Sequence, residues 1–187
     1  MSPRKPENPE FLGEARFVAS PNFNERPSGE VSLLVIHNIS LPPGQFGTGC
    51  VEALFCNGLD WDKHPFFKAI EGLEVSAHLL IERSGEVVQF VPFGKRAWHA
   101  GQSSFEGREN CNDFSIGIEL EGTDELPYTD TQYEQLALVT NTIMRCYPHI
   151  TPDRIVGHCD IAPGRKTDPG PAFDWDRFRG LLDTTVC

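Results

Sequence analysis

"VSLLVIHNIS", residues 31–40, is apolar and rich in β-branched and leucine side chains up to His37, and polar residues close the run. A continuous apolar run of this length fits a strand buried on both faces at the centre of a sheet. The run predicts a central strand over 31–37 with His37 at its C-terminal end, where helix-covered sheets present reactive side chains. The next stretch, "LPPGQFGTG" (41–49), holds two prolines and three glycines, which exclude a regular element. Lying beside a candidate site, this loop is placed to act as a lid.

Outward from that strand, "SAHLLIE" and "EVVQFVP" flank the turn-compatible "RSG", so residues 76–92 read as a β-hairpin. "FSIGIELEG" (114–122) alternates apolar with small or acidic residues and predicts a half-buried strand whose polar face carries Glu119 and Glu121. A last strand is expected around "RIVGH" (154–158). Short helices are expected over 51–57 and over 65–73, the second opening on Pro65. The clearest helix follows Thr129, which forms a capping-box pattern with Gln132. Its apolar stripe runs through Tyr133, Leu136, Val139, Ile143 and Tyr147 before Pro148 ends it. A final helix is expected over "DWDRFRGLL" (174–182). Strands interleaved with helices give a single domain of the α/β or α+β class, a central mixed sheet flanked by helices. Residues 1–28 read as an irregular arm and 29–187 as the domain.

At 187 residues the chain fits one core. No stretch approaches the roughly 18 apolar residues of a membrane span, and the N-terminus has no apolar segment of the secretory type. The expectation is a cytoplasmic protein without a membrane partner. A net charge of −11 argues against nucleic acid as a general partner. The basic residues near the candidate site, among them Arg83, Arg96, Arg165 and Lys166, leave room for a small anionic substrate. Six cysteines show no metal-type pairing and no disulfide framework, so reduced thiols are expected.

His37 and His158 each end a predicted apolar strand, and Asp168 stands ten residues after His158. Two imidazoles and a carboxylate suffice for a three-ligand zinc site, with a pair of ordinary strand-end histidines as the alternative. Cys159 is a rival ligand, but on an extended backbone it would face away from His158 and pack as a buried thiol. Asp160 is placed to orient an imidazole or cap a turn. Glu119, between Ile118 and Leu120, is a candidate general base, against the simpler reading of a solvated strand carboxylate. Lys166 is a candidate oxyanion donor, while Arg165 reads as a solvated loop charge. Trp98 and His99 of "RAWHAG" belong either to a cleft wall or to a Trp-anchored loop. His149 reads as a surface residue, His64 as a helix start and His78 as part of a strand.

The blocks "SLLVIHNISLPPG", "HPFF", "VSAHLLIERSGE", "RAWHAG", "CNDFSIGIELEGTD", "YTDTQY" and "GHCDIAPGRKTDPGPAFDW" occur in order along nearly the whole chain. Together they resemble the zinc-dependent N-acetylmuramoyl-L-alanine amidases of the type-2 superfamily, and within it the 1,6-anhydro-muramyl group of bacterial cell-wall recycling. The resemblance implies a type-2 amidase fold and a Zn2+ ion held by His37, His158 and Asp168. It implies Glu119 and Lys166 as catalytic residues, and Asn38 and Trp98 as substrate contacts. The implied substrate is a small anhydro-muropeptide, cleaved at the lactyl amide between the sugar and L-alanine, with a downstream effect on β-lactamase induction. A monomer without an obligate protein partner is expected. At "GRENC" the sequence departs from relatives that carry a basic residue where Asn110 stands.

Overall fold

A computed structural model describes residues 10–183 of the chain. Ten strands and five α-helices follow one another, with most of the strands gathered in one six-stranded sheet. Its order is β1 (Arg16–Phe17), β5 (Val87–Gln89), β4 (Leu79–Ile81), β9 (Ser115–Glu121), β3 (Leu33–Ile39) and β10 (Ile155–Gly157). All neighbours run parallel except β4 and β5, which form the antiparallel hairpin expected around "RSG". Two small antiparallel pairs lie outside it, β2 (Phe23–Glu25) with β6 (Lys95–Ala97), and β7 (Ser104–Phe105) with β8 (Arg108–Glu109).

β3 lies two residues further along than the apolar run suggested, because its ladder with β9 continues to the pair Ile39–Glu121. His37 therefore sits inside the strand, opposite Glu119, rather than at its end. β9 is buried along its whole length, not half-buried, since β3 and β4 pair with its two edges and both its faces are covered. Successive side chains of a strand point to opposite faces. One face thus carries Leu34, Ile36, Ile116, Ile118 and Leu120, against which α3 (Asp130–Cys146) packs Tyr133, Leu136 and Ile143. The opposite face carries Leu33, Val35 and His37 beside Ser115, Gly117 and Glu119.

Two apolar clusters cover that second face. One joins Leu80, Val88 and Phe90 to α1 (Cys50–Phe55) and to Phe67 of α2 (Pro65–Lys68). The other joins Leu33 and Val35 to Ala100, Phe114 and Ile161. His37 and Glu119 emerge where the two clusters part. α2 is shorter than the sequence suggested, and turns through Gly72, at φ 79°, complete the stretch. α4 (His158–Ile161) and α5 (Trp175–Gly180) complete the element order.

The capping box of α3 forms as read: Thr129 Oγ1 accepts from Gln132 N at 3.1 Å and Gln132 Oε1 accepts from Thr129 N at 3.1 Å. Gln132 Nε2 also donates to the carbonyls of Ile81 and Glu121, tying the helix start to the ends of β4 and β9. The arm is less irregular than its composition implied, for β1 extends the sheet edge and β2 pairs with β6. Arg26 is buried, and its guanidinium donates to the carbonyls of Phe93, Asn112 and Ser115. Residues 1–9 of the arm lie outside the described residues. The five described cysteines are free, and no helix among the described residues is long and apolar enough to cross a membrane.

Candidate metal centre

His37 Nδ1, His158 Nδ1 and Asp168 Oδ2 form a nearly equilateral triangle with edges of 3.0, 3.0 and 3.2 Å. Three donors of a tetrahedral zinc at about 2.0–2.1 Å would stand about 3.3 Å apart, so the spacing is that of a ligand set closing on one point. Among the described residues these three form the one group of histidine, cysteine and acidic side chains with such convergence.

The protonation pattern agrees. His158 Nε2 lies 3.1 Å from the carbonyl oxygen of Ala100, which can only accept, so Nε2 carries the proton and Nδ1 presents a lone pair. His37 and His158 are both buried. Burial, first of all, pushes the His37 imidazole down to about 4, which keeps it neutral. Burial alone would raise Asp168, but hydrogen bonds from His158 and His37 overcome this and hold its carboxyl below the usual range. The residues present thus fit a zinc ion.

Backbone contacts close the ten-residue span between His158 and Asp168. Cys159 N donates to Asp168 O at 3.0 Å, and Gly170 N to Thr167 O. Pro169 O accepts from Tyr128 Oη at 2.8 Å and from Asn38 Nδ2 at 3.1 Å. Gly170 has φ 79°, and a Cβ there would stand 2.2 Å from Asp124 Cα, so only glycine fits.

His158 opens α4 rather than ending an extended strand, so the alternation argument for Cys159 does not describe its backbone. Cys159 lies outside the donor triangle, but its thiol is only half-buried. Asp160 caps the turn, accepting from Gly157 N at 2.7 Å. Arg165 is exposed, as expected of a loop charge, and its guanidinium also donates to the carbonyls of Ala100 at 2.7 Å and Gln102 at 2.6 Å.

An open cleft of about 380 Å3 runs over the triangle, and Glu119, Lys166, Asn38, Trp98 and His99 line it. Glu119 is buried and its Oε2 has no hydrogen-bond partner. Burial, with the Asp168 charge adding to it, raises its carboxyl well above the ordinary range, and Lys166 opposes the shift. Glu121 accepts from the backbone N of Gly47 and of Arg83, so this carboxylate fastens the 41–49 loop to the sheet. Both readings of "RAWHAG" apply, since Trp98 walls the cleft while its indole N–H donates to Asn24. His64 caps α2, and His149 is exposed. A larger cavity of about 610 Å3, between Leu12–Arg16 and the outer side of α3, holds none of the candidate residues.

The model of N-acetylmuramoyl-L-alanine amidase matches residues 27–171, which include the triangle, Glu119 and Lys166. The chain belongs to the N-acetylmuramoyl-L-alanine amidase family. Within this amidase family it is 64% identical over 173 residues to the 1,6-anhydro-N-acetylmuramyl-L-alanine amidase AmpD of Salmonella typhimurium (strain SL1344), covering 92% of each chain. It superposes on the crystal structure of a selenomethionine AmpD derivative with a TM-score of 0.92, at 60% identity, over 94% of this chain and 98% of that one. It is an amidase of the AmpD type. A more distant amidase, AmiD from E. coli, matches with a TM-score of 0.58 at 31% identity, over 82% of this chain and 58% of that one. Its structure is a complex with anhydro-N-acetylmuramic acid-L-Ala-D-γ-Glu-L-Lys.

Proposed function

We propose that the protein is a zinc-dependent amidase that cleaves the lactyl amide between 1,6-anhydro-N-acetylmuramic acid and L-alanine in recycled muropeptides. The observation that carries this reading is the buried Glu119 carboxyl, its Oε2 without a hydrogen-bond partner, in the same cleft as the three converging donors. The type of bond follows from the family, and the anhydro-muropeptide held by AmiD is a substrate of the size and chemistry the open cleft suits.

His37, His158 and Asp168 would hold the ion. An ion held there would supply Lewis-acid chemistry, lowering the pKa of a water and polarising the amide carbonyl. Glu119 takes one proton from the water as its oxygen adds to the carbonyl carbon. Lys166 donates to the oxygen on which negative charge develops. As the C–N bond breaks, Glu119 returns the proton to the alanine nitrogen, leaving a free peptide amine and the lactyl carboxylic acid. A carboxyl raised by burial suits both steps, because it holds the proton between them. Asn38 and Trp98 form part of the substrate-facing wall.

The protein is read as a cytoplasmic monomer acting on a small molecule. By drawing down muropeptides, it would also influence β-lactamase induction. Glu119→Gln keeps the volume and removes the base; it is expected to lower kcat by about 10²–10⁴-fold while zinc content stays at wild-type level. Turnover near wild type in that variant would remove Glu119 from the mechanism.

A further inference from the structure

His37 makes a second, part-buried contact that the reaction does not use. Its Nε2 lies 2.9 Å from His99 Nδ1, and His99 Nε2 lies 3.1 Å from Ser115 Oγ. The chain Ser115–His99–His37 ends at the donor triangle, so its proton arrangement decides what His37 presents there. With Nε2–H of His37 donating to His99 Nδ1, and Nε2–H of His99 donating to Ser115, His37 Nδ1 offers a lone pair. With the direction reversed, His37 Nδ1 carries a proton aimed at His158 and Asp168, and no ion can bind.

The geometry points to His99 as a positioning residue that fixes the tautomer and ring orientation of His37 for metal binding. This rests on the proposed role of His37 as a ligand. Three features hold His99 where it serves that role. Asn112 Oδ1 accepts from the backbone N of His99 at 3.1 Å and of Ala100 at 2.8 Å, so one buried amide places both His99 and the Ala100 carbonyl that receives His158. Gly117 leaves room for the ring: a Cβ there would stand 2.5 Å from His99 Cγ and Nδ1. The rings of His37 and His99 meet edge to face, with centroids 5.0 Å apart. Outer partners of metal-bound imidazoles commonly change metal affinity by about 10–100-fold when removed.

The test compares wild type, His99→Leu and His99→Asn. Leucine places a methyl where Nδ1 stands, whereas asparagine keeps an acceptor oxygen there. Zinc affinity is read by competition with a chromophoric chelator, with Co2+ absorption reporting ligand geometry and the melting temperature of the metal-free proteins reporting structure. The expected result is a 10–100-fold weaker zinc site in His99→Leu, a largely restored one in His99→Asn, and metal-free melting temperatures that do not follow this order. Wild-type affinity in His99→Leu, or equal losses in both variants that track melting temperature, overturns the inference. Should His99→Leu not fold, long-range 1H–15N correlation spectra of the metal-free wild type decide. His37 and His99 both protonated at Nε2 support the inference, and an Nδ1-protonated His37 ends it. A wild type that binds no zinc, with His37→Ala indistinguishable from it, overturns the metal reading itself and the inference with it.

Discussion

Lys166 reaches the cleft from an exposed loop, and its charge opposes the burial that raises Glu119. Lys166→Ala is therefore expected to have two effects. Loss of one oxyanion donor lowers kcat by about 10²–10³-fold. Because Lys166 lowers the Glu119 pKa, its removal raises it, so the acid limb of kcat/KM against pH moves to higher pH. A kcat near wild type with an unmoved limb would make the lysine a bystander. At this scale the residues alone left His37 and His158 open between a metal site and ordinary strand-end histidines; the set with Asp168 was implied by the resemblance of the ordered blocks, and the three side chains do converge. The His99 contact was not legible, because it depends on a gap over Gly117 that appears only when β9 lies beside His37. The acceptors of Arg165, the carbonyls of Ala100 and Gln102, were hidden for the same reason, being more than sixty residues away in sequence.

Among the elements, α3 and the 158–170 loop have separable roles. The capping box of α3 lies on the face of the sheet away from His37, so Thr129→Ala should cost about 1 kcal/mol of stability and leave kcat unchanged. Calorimetry and steady-state kinetics together check this, and a fall in kcat without a fall in stability would contradict the separation. Gly170→Ala should reach the metal site as well as stability. A left-handed backbone costs a non-glycine residue roughly 1–2 kcal/mol, and the Asp124 contact pushes the loop that carries Asp168. Weaker zinc binding is expected with it, and chelator competition showing wild-type affinity would sink that expectation. Local pattern sufficed for α3, the hairpin and the place of β9 in the chain, because capping residues, turn residues and strand-type runs are written in short stretches, but not for the burial of β9 on both faces. It failed for the ends of β3 and for α4. The ladder to β9 carries β3 two residues beyond its apolar run, and tertiary contacts, rather than periodicity, wind His158 into a helical turn.

Across the whole molecule, folding buries several imidazoles in neutral form. His78, which accepts from Gly117 N at Nδ1, is pushed down to about 3 by burial and by the nearby Arg26 charge. An imidazole in the unfolded chain takes its proton near 6.5. Between those values the unfolded chain binds more protons, so the metal-free protein should lose stability as pH falls below about 6.5, by up to about 1.4 kcal/mol per pH unit from His78 alone. Urea unfolding at pH 7.5 and pH 5 tests this, and equal stabilities would contradict it. The class of fold was legible because apolar runs and helical stripes alternate along the chain, whereas the strand pairing of the arm and the burial of Arg26 depend on partners no local pattern reveals. The most direct test of the central claim is release of free tripeptide from an anhydro-muramyl tripeptide by the purified protein, followed by mass spectrometry before chelation, after it, and after adding Zn2+. The account predicts release that chelation abolishes and zinc restores. Release undiminished by complete removal of metal, or zinc-loaded protein that binds the substrate without cleaving it, would contradict it.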